Sequence, residues 1–224
     1  MEPIIKVENV TKTFVGRNKQ NNEALKDISF EIYDGEIVGI VGESGSGKST
    51  IARLLTGLIG TTEGNIYIYG QKLQGLPKGV QMIFQNPLDS FNPRKTIGFS
   101  VTEGLRNRGY SKEAAREIMD ELFEKCELPR DAFDKYPHQL SGGQCQRAAI
   151  ARALALQPKI LICDEATSSL DVTVQKTIIE LLDRLKQERN FTIIFICHNL
   201  ALVDIFCDRK IVVDEGRIIS DMRL

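Results

Sequence analysis

The most constraining feature of this 224-residue chain is a junction. The apolar run Ile37–Val41 (IVGIV) passes directly into GESGSGKST at residues 42–50. Five consecutive apolar or glycine positions suit a strand covered on both faces of a sheet. The segment after the glycines, STIARLLTGL, reads as a short helix ending near Gly57 or Gly60. Strand, glycine-rich loop and helix in that order allow few folds. Residues Gly42, Glu43, Ser44, Gly45, Ser46, Gly47, Lys48 and Ser49 fit GxxxxGK[ST] at every fixed position. Glycines let successive N–H groups turn inward toward phosphate oxygens, and the helix start adds a partial positive charge. Lys48 is placed to reach β- and γ-phosphates, Ser49 to ligate Mg²⁺, and Thr50 to touch the α-phosphate.

A nucleotide site also needs a carboxylate to hold the metal. ILICDE at residues 160–165 ends an apolar strand in Asp164 and Glu165, the Walker B pattern. Asp164 is expected to hold Mg²⁺. Glu165, one residue further on, is expected to polarise the attacking water as general base. Helix capping is the bland alternative for the pair.

The rest of the chain alternates. IIKVENV and ALKDISFEI read as strands, and Asp34-Gly35 before IVGIVG predicts a hairpin. GNIYIYG at 64–70 reads as a strand, and residues 86–110, rich in Asn, Pro, Gly and Arg, as loop with a short helix. Ser111 predicts an N-cap for an amphipathic helix with apolar positions at Ala115, Ile118, Met119, Leu122 and Phe123. Helix, strand, helix (Val172–Arg189), strand, short helix (Leu200–Phe206) and KIVVDEGRII with a turn at Glu215-Gly216 then follow. Such alternation predicts a mainly parallel sheet with helices on both faces.

Composition excludes some classes. A net charge of −1 gives no support for coating nucleic acid. No apolar run reaches the roughly 18 residues of a membrane span, and MEPIIKVENV lacks the features of a signal peptide. The five cysteines, 126, 145, 163, 197 and 207, are odd in number and form no CxxC pair, so buried reduced thiols are expected.

LSGGQ at residues 140–144, just before an Ala-rich helix and upstream of the Walker B strand, resembles the signature of the ATP-binding cassette family. Its other elements stand in order. Phe14 sits where the family stacks an aromatic on adenine, although plain core is the alternative. Gln85 in QMIFQNP matches the Q-loop, residues 168–171 (SSLD) match the D-loop, and His198 after FTIIFIC matches the switch histidine. The resemblance implies an α/β fold. It has a P-loop NTPase core with a mainly parallel sheet, an N-terminal antiparallel β subdomain and an inserted α-helical subdomain. The expected division is 1–87 and 145–224 for the core and 88–144 for the helical part.

It also implies ATP and Mg²⁺ as ligands. Two cassettes would pair head to tail, with ATP between the P-loop of one and Ser141, Gly142, Gly143 and Gln144 of the other. Gln85 would sense the γ-phosphate and the metal or water, His198 would contact the γ-phosphate, and Asp171 would couple the two sites or cap the helix at Val172. The 55 positions from Gln85 to Leu140 leave no room for coiled-coil arms, which disfavours chromosome-maintenance relatives. FQNPLDSFNPRKTIG and DEATSSLDVTVQ look like the peptide/nickel importer group, whose ATPase subunits work with a like or unlike second ATPase, two membrane permeases and an external solute-binding protein. That places the chain on the cytoplasmic side of the membrane, with residues 79–109 receiving the permeases. The chain ends at Leu224 without the C-terminal extension common in that group, which reads as a short nickel- or metallophore-type subunit or a trimmed chain. A soluble cassette acting on nucleic acid or ribosomes is the other reading. A small-molecule kinase would leave LSGGQ, Gln85 and His198 unexplained.

Overall fold

The computed structural model describes residues 2–15, 21–166 and 172–224. In chain order the elements are β1 (Ile5–Val15), β2 (Asn21–Ile32), β3 (Ile37–Val41), α1 (Lys48–Leu55), β4 (Glu63–Ile68), β5 (Gln71–Lys72) and β6 (Val80–Ile83). Then come α2 (Ile97–Asn107), α3 (Lys112–Lys125), α4 (Gly142–Ala155), β7 (Ile160–Asp164), α5 (Val172–Arg189), β8 (Thr192–Cys197), α6 (Leu200–Phe206), β9 (Arg209–Asp214) and β10 (Arg217–Arg223). They form two sheets. One is antiparallel with order β2-β1-β4-β5, and the other has order β10-β9-β3-β8-β7-β6. In the larger sheet every pair is parallel except β9 with β10.

Strand β3 shows why the sheets stack. All five of its residues are buried, and strand geometry sends alternate side chains to opposite faces. Val38 and Ile40 join Ile5, Val7 and Phe30 of the antiparallel sheet and Ile51, Leu54 and Leu55 of α1 in one apolar cluster. Ile37 and Val41 join the other cluster, with Ile193 and Phe195 of the neighbouring strand β8 and with Ile178, Leu182 and Val203 from helices α5 and α6 behind. Gly39 lies on that second side, where a Cβ would overlap the Val203 side chain. Its missing side chain is what lets α6 approach. Truncating a fully buried residue such as Ile40 to alanine in this two-sided layer would cost about 2–5 kcal/mol.

Two readings are corrected. Asp34-Gly35 makes no hairpin, because β2 pairs with β1 in one sheet while β3 pairs parallel with β8 and β9 in the other. The turn is a corner between sheets. Gly35 N–H donates to Thr192 Oγ1 at 2.9 Å and Tyr33 N–H to Glu36 Oε2 at 3.0 Å, which hold the corner. Residues 86–110 contain a full 11-residue helix, α2, rather than loop with a short helix. Thr96 Oγ1 caps it by accepting Phe99 N–H, and Ile97, Val101 and Leu105 bury its inner side. The Ser111 cap is present, accepting Ala114 N–H at 3.1 Å, with Ala115, Met119, Leu122 and Phe123 buried. All five cysteines are buried and unpaired.

Candidate nucleotide site

The register of the parallel strands builds the site. Ile83 pairs with Cys163, Cys163 with Phe195 and Ile193 with Ile37, so β6, β7, β8 and β3 run side by side in one direction. At or just past their C-terminal ends stand Gln85, Asp164 with Glu165, His198 and Gly42. Ligands in open α/β sheets bind at that edge. Continuing the β6–β7 register by two residues sets Gln85 opposite Glu165. Gln85 Nε2 indeed donates to Glu165 Oε2 at 2.6 Å. Glu165 takes a left-handed φ of 47° where β7 ends, and its N–H donates to Ile196 O at 3.0 Å.

The loop 42–50 has the shape an anion needs. Gly47 sits at φ 111°, with a Cβ position 2.7 Å from both Ala24 O and Leu25 Cδ2, so only glycine fits between the loop and β2. The turn joining β9 to β10 supports it, Gly216 N–H donating to Ser46 O at 3.0 Å. Helix α1 has no side-chain cap and no acidic residue in its first turn, leaving its N-terminal amides for a ligand. Glu43, Ser44 and Gly45 are exposed, whereas Ser46 and Lys48 are buried. The Ser46 hydroxyl is buried without a partner. Lys48 Nζ donates to the carbonyls of Gly42 (2.9 Å) and Glu43 (2.7 Å), lying across the mouth of the loop that spans them.

Ser49 Oγ donates to Asp164 Oδ1 at 2.9 Å. Burial pushes the Asp164 carboxyl pKa up. The Ser49 hydrogen bond opposes that, Glu165 adds to it, and Arg53 and Lys48 pull down. A desolvated carboxylate beside a hydroxyl is an environment that favours a hard cation. Among the described residues no group of three or more His, Cys, Asp or Glu forms a metal cage. Ser49, Gln85 and Asp164 line one cavity of about 490 Å³. Arg53, Asn86 and Asp89 line it too, and the sequence reading did not name them. Arg53 could have been found, since it stands four residues after Ser49 on one side of α1. Cys163 and Cys197 flank the site, but burial raises both thiols, Cys163 to about 12, so they are inert filling.

Phe14, 38% exposed at the end of β1, is not core, and Lys12 Nζ sits 5.1 Å from its ring centroid. His198 is exposed in the turn before α6. Thr50 is half-buried in the first turn of α1. Ser141 caps α4 in a reciprocal box, Oγ accepting Gln144 N–H at 3.2 Å while Gln144 Oε1 accepts Ser141 N–H at 3.0 Å. Ser141 and Gly142 are exposed, and Gly143 is held close to Val174 of α5. Among the described residues no hydrogen bond or ion pair joins this helix start to the loop 42–50. Asp171 and the rest of 168–171 lie outside the described residues.

A phosphate loop, a Walker B strand and a signature-capped helix on one α/β frame define an ATP-binding cassette, and the chain belongs to the ABC transporter family. The family model described as ABC transporter matches residues 25–168. Among particular relatives, the chain is similar to the oligopeptide transport ATP-binding protein OppF of Escherichia coli (strain K12), 42% identical over 208 residues, covering 88% of this chain and 62% of that protein. It is likewise 42% identical over 221 residues to OppF of Haemophilus influenzae, covering 94% and 66%. The chain therefore spans just under two thirds of the length of these curated relatives. In structure it resembles the ATP-binding cassette MJ0796 in a dimeric, post-hydrolysis state bound to ADP and Pi. That match has a TM-score of 0.89, 33% identity and 98% of each chain covered. It also resembles cbiO1 of Clostridium perfringens, part of the ABC transporter complex cbiONQ, with TM-score 0.86, 29% identity, and 100% and 89% covered.

Proposed function

We propose that the chain binds and hydrolyses ATP as the ATPase subunit of a peptide importer. The observation that carries this is the pair of contacts at one strand edge, Ser49 with Asp164 and Gln85 with Glu165. Ser49 and Asp164 are the residues that would hold Mg²⁺, which supplies charge neutralisation to the phosphates. Lys48 turns its ammonium from the Gly42 and Glu43 carbonyls to the terminal phosphates. Glu165 takes the proton of the attacking water, and Gln85 fixes its carboxylate. Phe14 offers its exposed ring to adenine, and His198 reaches the γ-phosphate from the end of β8.

Ser141 and Gly143 are the second half of a site completed by another chain. The exposure of Ser141 and Gly142 at the start of α4 supports head-to-tail pairing, as does the likeness to a dimeric cassette. Closure on ATP and opening after hydrolysis would drive two permease subunits received at residues 79–109, with residues 88–144 as the helical part. No helix among the described residues is long and apolar enough to cross a membrane, so the path for solute would belong to those partners. Similarity to OppF favours oligopeptide over nickel or metal chelates as cargo, and nothing favours nucleic acid or ribosomes. Affinity purification from the native membrane tests the assembly. Permease subunits that co-purify and stimulate phosphate release support it, while recovery with ribosomal RNA alone contradicts it.

A further inference from the structure

The segment that follows Gln85 is held by an arginine of α4. Leu88–Ser90 form one tight turn, in which Leu88 N–H donates to Asn86 Oδ1 at 3.2 Å and Ser90 Oγ to Pro87 O at 2.7 Å. The last carbonyl, Ser90 O, accepts Arg152 Nη1 at 2.6 Å. The same guanidinium lies 4.6 Å from the centroid of the Phe91 ring, which is 3% exposed and part of the core around α2 and α4. A flat cation that both caps a turn and stacks on a ring fixes position and orientation together. Burial pushes the Arg152 pKa down, opposed by Glu103, so the guanidinium lies largely out of water beside Ser90 O and the Phe91 ring. Arg152 stands in the last turn of α4, the helix that begins at Ser141.

We propose that Arg152 is a positioning residue for hydrolysis: it anchors residues 85–91 so that Gln85 stays on Glu165, and it ties that anchor to the helix begun by the signature. The inference rests on the ATPase reading above. Arg152 touches neither Gln85 nor Glu165 and acts through Ser90 and Phe91. Removing it leaves the loop 42–50 intact but frees the turn, so turnover suffers and ATP binding does not.

The test compares purified Arg152→Gln and Arg152→Lys with wild type, using ATP with Mg²⁺, phosphate release for kcat and KM, equilibrium dialysis for ATP Kd, and thermal melting for folding. Arg152→Gln is expected to lower kcat about tenfold, with ATP Kd within about twofold of wild type. Arg152→Lys, which keeps the charge but not the planar stack, recovers part of the loss. Unchanged kcat, or kcat and ATP affinity falling together, overturns the proposal. If Arg152→Gln does not fold, Arg152→Lys decides: reduced kcat at unchanged Kd supports it, and wild-type kcat overturns it. A wild-type protein that releases no phosphate from ATP brings down the ATPase reading and this inference together, whereas a hydrolysing wild type with indifferent Arg152 variants defeats this inference alone.

Discussion

Gln85 Nε2 donates a 2.6 Å hydrogen bond to Glu165 Oε2, joining residues 80 positions apart at the ends of two neighbouring parallel strands. The bond orients the carboxylate proposed as general base. Replacing Gln85 with alanine should therefore lower kcat about tenfold or more while leaving ATP binding near wild type, the signature of an interaction used in turnover. Phosphate release and dialysis with ATP check this, and a parallel loss of affinity would speak against it.

Ser49 and Asp164 meet at 2.9 Å, and each is one ligand of the expected Mg²⁺ site. Ser49→Ala removes one oxygen and the hydroxyl that supports Asp164. The Mg²⁺ concentration giving half-maximal hydrolysis at saturating ATP should rise by about 10–100-fold. A magnesium titration reads the shift directly, and an unchanged midpoint would remove Ser49 from the metal site.

Gly47 and Gly45 separate strain from crowding. Both have positive φ, 111° and 85°, but a Cβ on Gly47 meets Ala24 O and Leu25 Cδ2 at 2.7 Å, whereas one on Gly45 meets nothing within 4 Å. Gly47→Ala should cost about 3 kcal/mol, lowering the melting temperature by about 6–12 °C in a domain of this size. Gly45→Ala should lose less than half of that. Calorimetry of the two variants makes the comparison.

Glu127 links α3 to α4 and α5, with Oε2 2.8 Å from Arg147 Nη1 and Oε1 3.1 Å from Arg184 Nη2. The Arg147 hydrogen bond, with Arg184, holds its carboxyl below the usual 4.5. A depressed folded pKa means stability that is present above 4.5 and lost as pH falls through the folded value. Glu127→Gln should melt below wild type at neutral pH by under about 1 kcal/mol, since the carboxylate is half exposed. The gap should close as pH falls below 4.5. Melting curves across that range check the sign.

Legibility in the sequence followed physical strength. The loop 42–50 and ILICDE were plain because a glycine-rich turn ending in Lys48 and Ser49, and an apolar strand ending in two carboxylates, are local patterns. Helices α3, α5 and α6 were plain because apolar spacing and caps such as Ser111 agree. Asp34-Gly35 misled because the same residues suit any tight reversal, and only the pairing of β3 with β8 and β9, far along the chain, decides that this one is a corner. Helix α2 was hidden by the Asn- and Pro-rich turn before it, although Ile97, Val101 and Leu105 keep helical spacing. Strand β6 has only four residues, and its meaning, placing Gln85 opposite Glu165, comes from register with β7. Arg53 and Arg152 carry no motif of their own. What they touch depends on which loops the fold brings beside them.

The central claim is that Glu165 drives hydrolysis in a site that two chains complete around ATP. The most direct measurement is Glu165→Gln incubated with ATP and Mg²⁺, followed by phosphate release and size-exclusion chromatography with light scattering. The account predicts phosphate release lowered by at least about 100-fold, ATP retained, and a dimer that persists where the nucleotide-free chain is monomeric. Phosphate release at the wild-type rate, or ATP retained on a monomer, would contradict it.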